Sequence, residues 1–214
     1  MKKLLLCLFV LALGVGVKAQ KWSLGVEAGY LNTCLSTERL VPKSSHGFMV
    51  GLTTDYTFPG KVTLETGLSY QRRGEKLSGD MGINNLKLEL DKADYLYVPV
   101  TIGYRIHLTD TWTFTPKVGG YLGVGIRAKG RIDGTDSFGQ PFSAFIDFFE
   151  DSGLPVDYRP FDRCDVGLQV GGDIAWRRIR LGIGYQFGLK HLATIYDSRT
   201  QNRTLSLTLG YSIF

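Results

Sequence analysis

The sequence predicts an all-β fold: an eight-stranded, antiparallel, up-and-down transmembrane β-barrel behind a cleaved signal peptide. Three observations predict it. Apolar and polar residues alternate with period two over segments of about ten residues, which puts one kind on each face of an extended chain. The glycines sit on the polar face, where a narrow, crowded lumen has room only for small side chains. The connections between segments are alternately long and short, the rule for outer-membrane barrels. Residues 164–189 show the unit most clearly. Val166, Leu168, Val170, Ile174 and Trp176 share one face; Asp165, Gly167, Gln169, Gly171, Asp173 and Ala175 share the other. After Arg177-Arg178 the pattern resumes, with Ile179, Leu181, Ile183, Tyr185, Phe187 and Leu189 set against Arg180, Gly182, Gly184, Gln186 and Gly188. Two such strands joined by two residues form a hairpin. A soluble lipocalin-like barrel would carry the reverse pattern, with an apolar lumen.

Residues 1–19 read as a secretory signal peptide: Lys2-Lys3, an apolar run over residues 4–17, then Val17-Lys18-Ala19 as the small-residue cleavage site. The barrel domain is residues 20–214. The first strand is residues 22–31, with Trp22, Leu24, Val26, Ala28 and Tyr30 on one face and Glu27 among the polar set. The second is residues 47–58 and ends at the Pro59-Gly60 turn. The third is residues 62–72, with Leu64, Leu68 and Tyr70 outward. The fourth is residues 95–106; Pro99 inside it cannot donate a ladder hydrogen bond, so a local bulge or irregularity is expected there. The fifth is residues 112–129, with Lys117, Tyr121 and Arg127 expected inward. The sixth and seventh are the hairpin above, and the eighth is residues 204–214. Long connections follow the odd strands, over residues 32–46, 73–94, 130–163 and 191–203, and only a few residues follow the even ones. Alternation over residues 86–90 suggests that strands continue beyond the membrane. Trp22, Trp112 and Trp176, with Phe58 and Phe214, then fall at the short-turn end, and Tyr30, Tyr70 and Tyr185 toward the other, as two aromatic belts require.

Charge adds little. Without Lys2, Lys3 and Lys18 the basic count falls from 25 to 22 against 20 acidic residues, so a nucleic-acid partner is not expected. Export leaves Cys34 and Cys164 in an oxidising compartment, either as a disulfide or as two separate thiols at strand ends.

The inward face carries charges of both signs: Glu27, Asp55, Glu65, Arg105, Lys117, Asp173 and Arg180. An eight-stranded barrel is just wide enough for side chains to fill it. These charges therefore read as a salt-bridged plug, with a narrow ion or proton path as the alternative. Phe142, Phe145, Ile146, Phe148 and Phe149 make the third long loop unusually apolar. It either folds over the mouth or onto lipid, or presents a partner-binding patch. For catalysis the residues to weigh are His46 with Ser44 and Ser45, His107, and His191 with Asp197 and Ser198, the Ser, His and acid types of a lipid A-modifying enzyme. Histidines in loops are usually just solvated, and no spacing suits a metal or a phosphate loop. No catalytic site, cofactor or metal is expected.

Three stretches carry a resemblance: Tyr95-Leu96-Tyr97-Val98-Pro99-Val100, Pro116-Lys117-Val118-Gly119-Gly120-Tyr121-Leu122-Gly123, and Tyr185-Gln186-Phe187-Gly188-Leu189. With the Ala19-Gln20 junction and terminal Phe214, they resemble the outer-membrane β-barrel proteins of Bacteroidetes, labelled porin family or PorT-like. The resemblance implies an integral outer-membrane protein with a periplasmic N-terminus, contacting lipid and the barrel-assembly machinery through its last strand. It also implies a non-enzymatic structural or interaction role, in an envelope or secretion assembly. One departure stands out: Ser212 holds the place where that assembly signal has an aromatic, and Tyr211 comes one residue earlier.

Overall fold

The computed structural model describes residues 22–36, 44–80, 87–135, 140–147, 149, 162–190, 193–195 and 198–213. The expected signal peptide, Phe148, His191, Asp197 and Phe214 lie outside these residues. The strands are β1 (Trp22–Ser36), β2 (Ser44–Thr57), β3 (Val62–Asp80), β4 (Lys87–Tyr104), β5 (Ile106–His107), β6 (Trp112–Thr135), β7 (Pro141–Asp147), β8 (Cys164–Trp176), β9 (Ile179–Gly188), β10 (Ala193–Ile195) and β11 (Ser198–Ser212). Eight of them make the ring β1-β2-β3-β4-β6-β8-β9-β11, every neighbour antiparallel, and β11 pairs back onto β1 from Gly25↔Ser212 to Ser36↔Gln201. β5 is the tail of β4, and β7 and β10 are short partners that lengthen β6 and β11. Closure leaves the ring without a free edge, so the backbone polar groups within the membrane are paired along the ladders apart from a short interruption beside Pro99.

The outer face is the apolar one. Ile102, Val118 and Leu181 expose 57%, 60% and 60% of their surface. On β3 the outward run from Val62 to Tyr70, apolar or aromatic except at Thr66, covers roughly 26 Å of strand, or about 20 Å along the barrel axis at ~40° tilt, most of the apolar band of an outer-membrane barrel. Aromatic clusters mark both edges: Trp22–Tyr56 (5.2 Å), Tyr56–Phe58 (4.8 Å) and Trp112–Trp176 (6.2 Å) at the short-turn end, Phe48–Tyr70 (6.1 Å) and Tyr185–Phe187 (4.6 Å) at the other.

The short turns hold by local bonds. Phe58 N donates to Val62 O (2.8 Å) around the Pro59-Gly60 corner, and Lys61 takes a φ of 65°. Arg177 takes 53° in the β8–β9 turn. Thr109 Oγ1 accepts from Trp112 N at 3.1 Å and closes the connection into β6.

Two expectations need correcting. The strands run well past the predicted limits at the long-loop end: residues 73–80 and 87–94, expected in a long connection, form ladder, with Lys87 paired to Asp80, and only the alternation over residues 86–90 points to such a continuation. Pro99 gives the expected local irregularity without a bulge. The β3–β4 register is the same at Thr66↔Val100 and Ser69↔Tyr97, with pairing interrupted only between them, and Thr66 Oγ1 donates to Pro99 O at 2.7 Å. The bulge lies higher. Asp94 pairs with Arg127 and Tyr95 with Gly125, so Ile126 is an extra residue in β6. Ile126 and Arg127 therefore both face outward, and Arg127 is not in the lumen as strict alternation predicted.

Candidate functional site

The lumen is filled by side chains in successive layers. Nearest the short turns, Arg105 Nη2 donates to Asp55 Oδ1 (2.9 Å). Lys117 Nζ donates to Glu65 Oε1 (2.7 Å) and Asp173 Oδ2 (2.8 Å). Arg180 Nη1 donates to Glu65 Oε2 (2.8 Å) and lies 3.8 Å from Asp55 and 3.9 Å from Asp173. Inward positions on β2, β3, β6, β8 and β9 thus join in one network with Arg105, which follows the end of β4. Three carboxylates face three cations, so each desolvated charge has a partner. Glu27, on β1, lies higher; among the described residues it is in no ion pair, and it lines a cavity of about 60 Å³ with Gln71, Tyr97 and Gln169. Below the network a vestibule of about 390 Å³ opens between Trp22, His107, Arg177 and Arg178.

A second network, absent from the sequence-based reading, closes the other half. Arg73 and Asp165 both have fully buried side chains and pair at 2.6 Å. Gln71 Oε1 accepts from Arg73 Nε at 3.1 Å, and Asn202 Nδ2 and Tyr121 OH donate to Asp165 at 3.0 and 3.2 Å. The guanidinium lies 4.6 Å from the centre of the Tyr95 ring. Between the two networks Tyr97 packs its ring tilted against Tyr121 (5.2 Å between centres) and donates its hydroxyl to Gln169. Glycine makes this possible at Gly167, where a Cβ would lie 2.5 Å from the Tyr121 ring. Arg73 was hidden because it fell in a predicted loop, although Ser69, Gln71 and Arg73 continue the inward parity of the third strand.

Phe149 caps the upper network. It is buried, meets Tyr95 edge-on at 5.9 Å, and occupies the space a Cβ on Gly125 would need, 2.3 Å away. Arg163 Nη2 donates to Phe149 O (2.8 Å), and Asp147 Oδ1 accepts from Phe149 N (3.1 Å). Phe145 is instead 82% exposed on the outside of the barrel. The apolar loop cluster is therefore divided between these two, with the side chains of Phe142 and Ile146 and all of Phe148 outside the described residues. At the loop base Lys190 Nζ contacts Asp162 Oδ2 at 2.6 Å. That bond and the Cys164 N–H hold the Asp162 carboxyl below its ordinary range.

Cys34 and Cys164 are free. They sit on β1 and β8, with β9 and β11 between, a separation of roughly 14 Å at about 4.8 Å per strand, twice the reach of a disulfide. Of the two alternatives, the structure has the separate thiols.

Among the described side chains, His46 and His107 do not assemble with a serine. Ser45 is buried in the lumen while His46, next in the strand, faces outward and meets the Tyr30 hydroxyl. His107 lines the vestibule at the opposite end. Among the described residues no three His, Cys, Asp or Glu side chains converge as metal ligands.

A family model described as outer membrane protein beta-barrel domain matches residues 18–194. No curated protein matches the sequence. Among solved structures, that of Ail, the attachment invasion locus protein of Yersinia pestis, is similar at 16% identity, with 90% of this chain and 99% of that chain covered and a TM-score of 0.44. Neisserial surface protein A is similar at 14% identity, covering 88% and 96%, with a TM-score of 0.44. The outer membrane enzyme PagL is similar at 13%, covering 86% and 98%, with a TM-score of 0.48.

Proposed function

Since the chain belongs to the outer membrane protein beta-barrel domain family, and is thus an integral protein of a Gram-negative outer membrane, we propose that it is a non-enzymatic barrel with a sealed lumen. On this reading it acts through its surfaces, as a structural or interaction component of an envelope or secretion assembly. The observation that carries this reading is the double seal. Two ion-pair networks, five strands in the lower one and Arg73–Asp165 in the upper, stand in series with packed tyrosines between them and Phe149 above. Free passage of solute would require both to open at once. The resemblance to PorT-like proteins of Bacteroidetes supports the assembly role, and the exposed rim around Phe145 offers a surface for it. The last strand, through Ile213, is the segment expected to engage the barrel-assembly machinery.

The test is co-purification from native outer membranes with a tag placed just after Gln20. A stoichiometric partner is expected. Recovery as a lone, heat-modifiable monomer, together with discrete conductance steps in a planar bilayer, would overturn the proposal in favour of a channel.

A further inference from the structure

A basic patch sits on the outside of the barrel immediately above the apolar belt. The outward positions of β3 run Leu68, Tyr70 and then Arg72; those of β4 run Val100, Val98, Leu96 and then Asp94 and Lys92; those of β6 run Leu122, Val124, Ile126 and then Arg127 and Lys129. The ladder sets Arg72 beside Asp94, Asp94 beside Arg127, and Lys92 directly opposite Lys129. Arg72 is committed to Asp94 through two bonds of 2.8 and 3.1 Å. Lys92, Arg127 and Lys129 are in no ion pair among the described residues, and all three are exposed. Two lysines facing each other across a ladder repel, and an anion between them relieves the repulsion. The bulge matters here: the extra residue Ile126 brings Arg127 to the outside, next to the lysine pair. With Phe145 beside them, these side chains line a concavity of about 400 Å³.

We propose that this concavity binds the phosphate of an outer-leaflet glycolipid of the lipid A class. Three features select that occupant. The first is charge: four cations and one carboxylate line the site, and a lipid phosphate is the complementary group. The second is height. Lys92 lies four residues beyond Leu96, roughly 13 Å along the strand and about 10 Å along the membrane normal, which is the headgroup layer above the hydrocarbon edge. The third is continuity, since acyl chains attached to a headgroup held there run down over Leu96, Ile126 and Tyr70, the last in the aromatic edge of the apolar belt. The site rests on the membrane orientation, with short turns periplasmic, and is independent of the proposed assembly role.

The test uses the full-length mature protein, purified in detergent and read by native mass spectrometry after exposure to diphosphorylated lipid A or to the same lipid with both phosphates removed. The phosphorylated lipid should be retained about tenfold better, the scale of one charge-assisted contact. K92Q/R127Q/K129Q should abolish the preference while remaining heat-modifiable on gels. Equal retention of the two lipids by the native protein, or an unchanged preference in the triple variant, overturns the proposal. If the triple variant does not fold, the native comparison and K129Q alone decide the matter. Inorganic phosphate should not displace the lipid at matched concentration; if it does, the site is a phosphate site and not a lipid site.

Discussion

Arg73 shows how much one side chain can carry in a narrow lumen. Its guanidinium has no exposed surface, and it is held by Asp165, Gln71 and the Tyr95 ring. Removing it leaves the Asp165 carboxylate buried without its counter-charge. R73A should therefore lower unfolding stability by about 3–5 kcal/mol, and R73M/D165L by much less, because it removes both charges. Urea unfolding in micelles followed by tryptophan fluorescence would measure both. Gly125 makes a different point: its missing Cβ is the seat of Phe149. G125L should evict that ring, cost about 1–3 kcal/mol by overpacking, and make the third loop more sensitive to protease. The Asp162–Lys190 contact is a pH-dependent anchor for the same loop. The folded Asp162 carboxyl titrates below its ordinary value. Its contribution is thus present above about pH 4 and lost as pH falls through the lowered value. Hydrogen exchange at Cys164 should accelerate below that point and not at neutral pH. The pair is solvated, so the effect on global stability should be small.

At the scale of elements, turns and bulges decide what the strands present. Lys61 and Arg177 hold left-handed backbone in two of the short turns, with φ of 65° and 53°. Side chains with a Cβ are strained there, and glycine is not. K61G should raise the unfolding midpoint by the equivalent of about 0.5–1 kcal/mol, and K61V should lower it; paired thermal melts would read the sign. The bulge at Ile126 acts over a longer range. It shifts the parity of β6, so that Arg127 and Lys129 leave the lumen side and Ala128 and Gly130 take it. Pro99, by contrast, costs only a short interruption in pairing.

On the proposed reading the whole molecule is a barrel closed by two plugs in series. This predicts a non-additive response in conductance. Neither R73S/D165S nor K117S/R180S alone should give steps in a planar bilayer, because the remaining network still fills the lumen. The combined variant, with F149A, should show small, short-lived steps. Steps from either pair alone would mean that the plugs are not in series, and none from the combined variant would mean that the tyrosine layer seals the barrel unaided.

The strand count, the outward apolar face, the aromatic edges and the inward positions of Asp55, Glu65, Lys117, Asp173 and Arg180 were all determined by the sequence itself. They follow from local rules: a period of two sets the face, and alternate short turns set the antiparallel order. Which charges meet is not local. Arg73 pairs with Asp165 across the lumen, ninety-two positions away along the chain. That meeting depends on barrel closure and on the stagger of the ring. The same holds for Cys34 and Cys164, kept apart by two intervening strands, and for Phe149, which is buried while Phe145 is exposed. The bulge that brings Arg127 outward beside Lys92 and Lys129 was also a tertiary decision. A single extra residue leaves the apolar–polar alternation almost intact in the sequence, and only the pairing with β4 reveals where it was inserted.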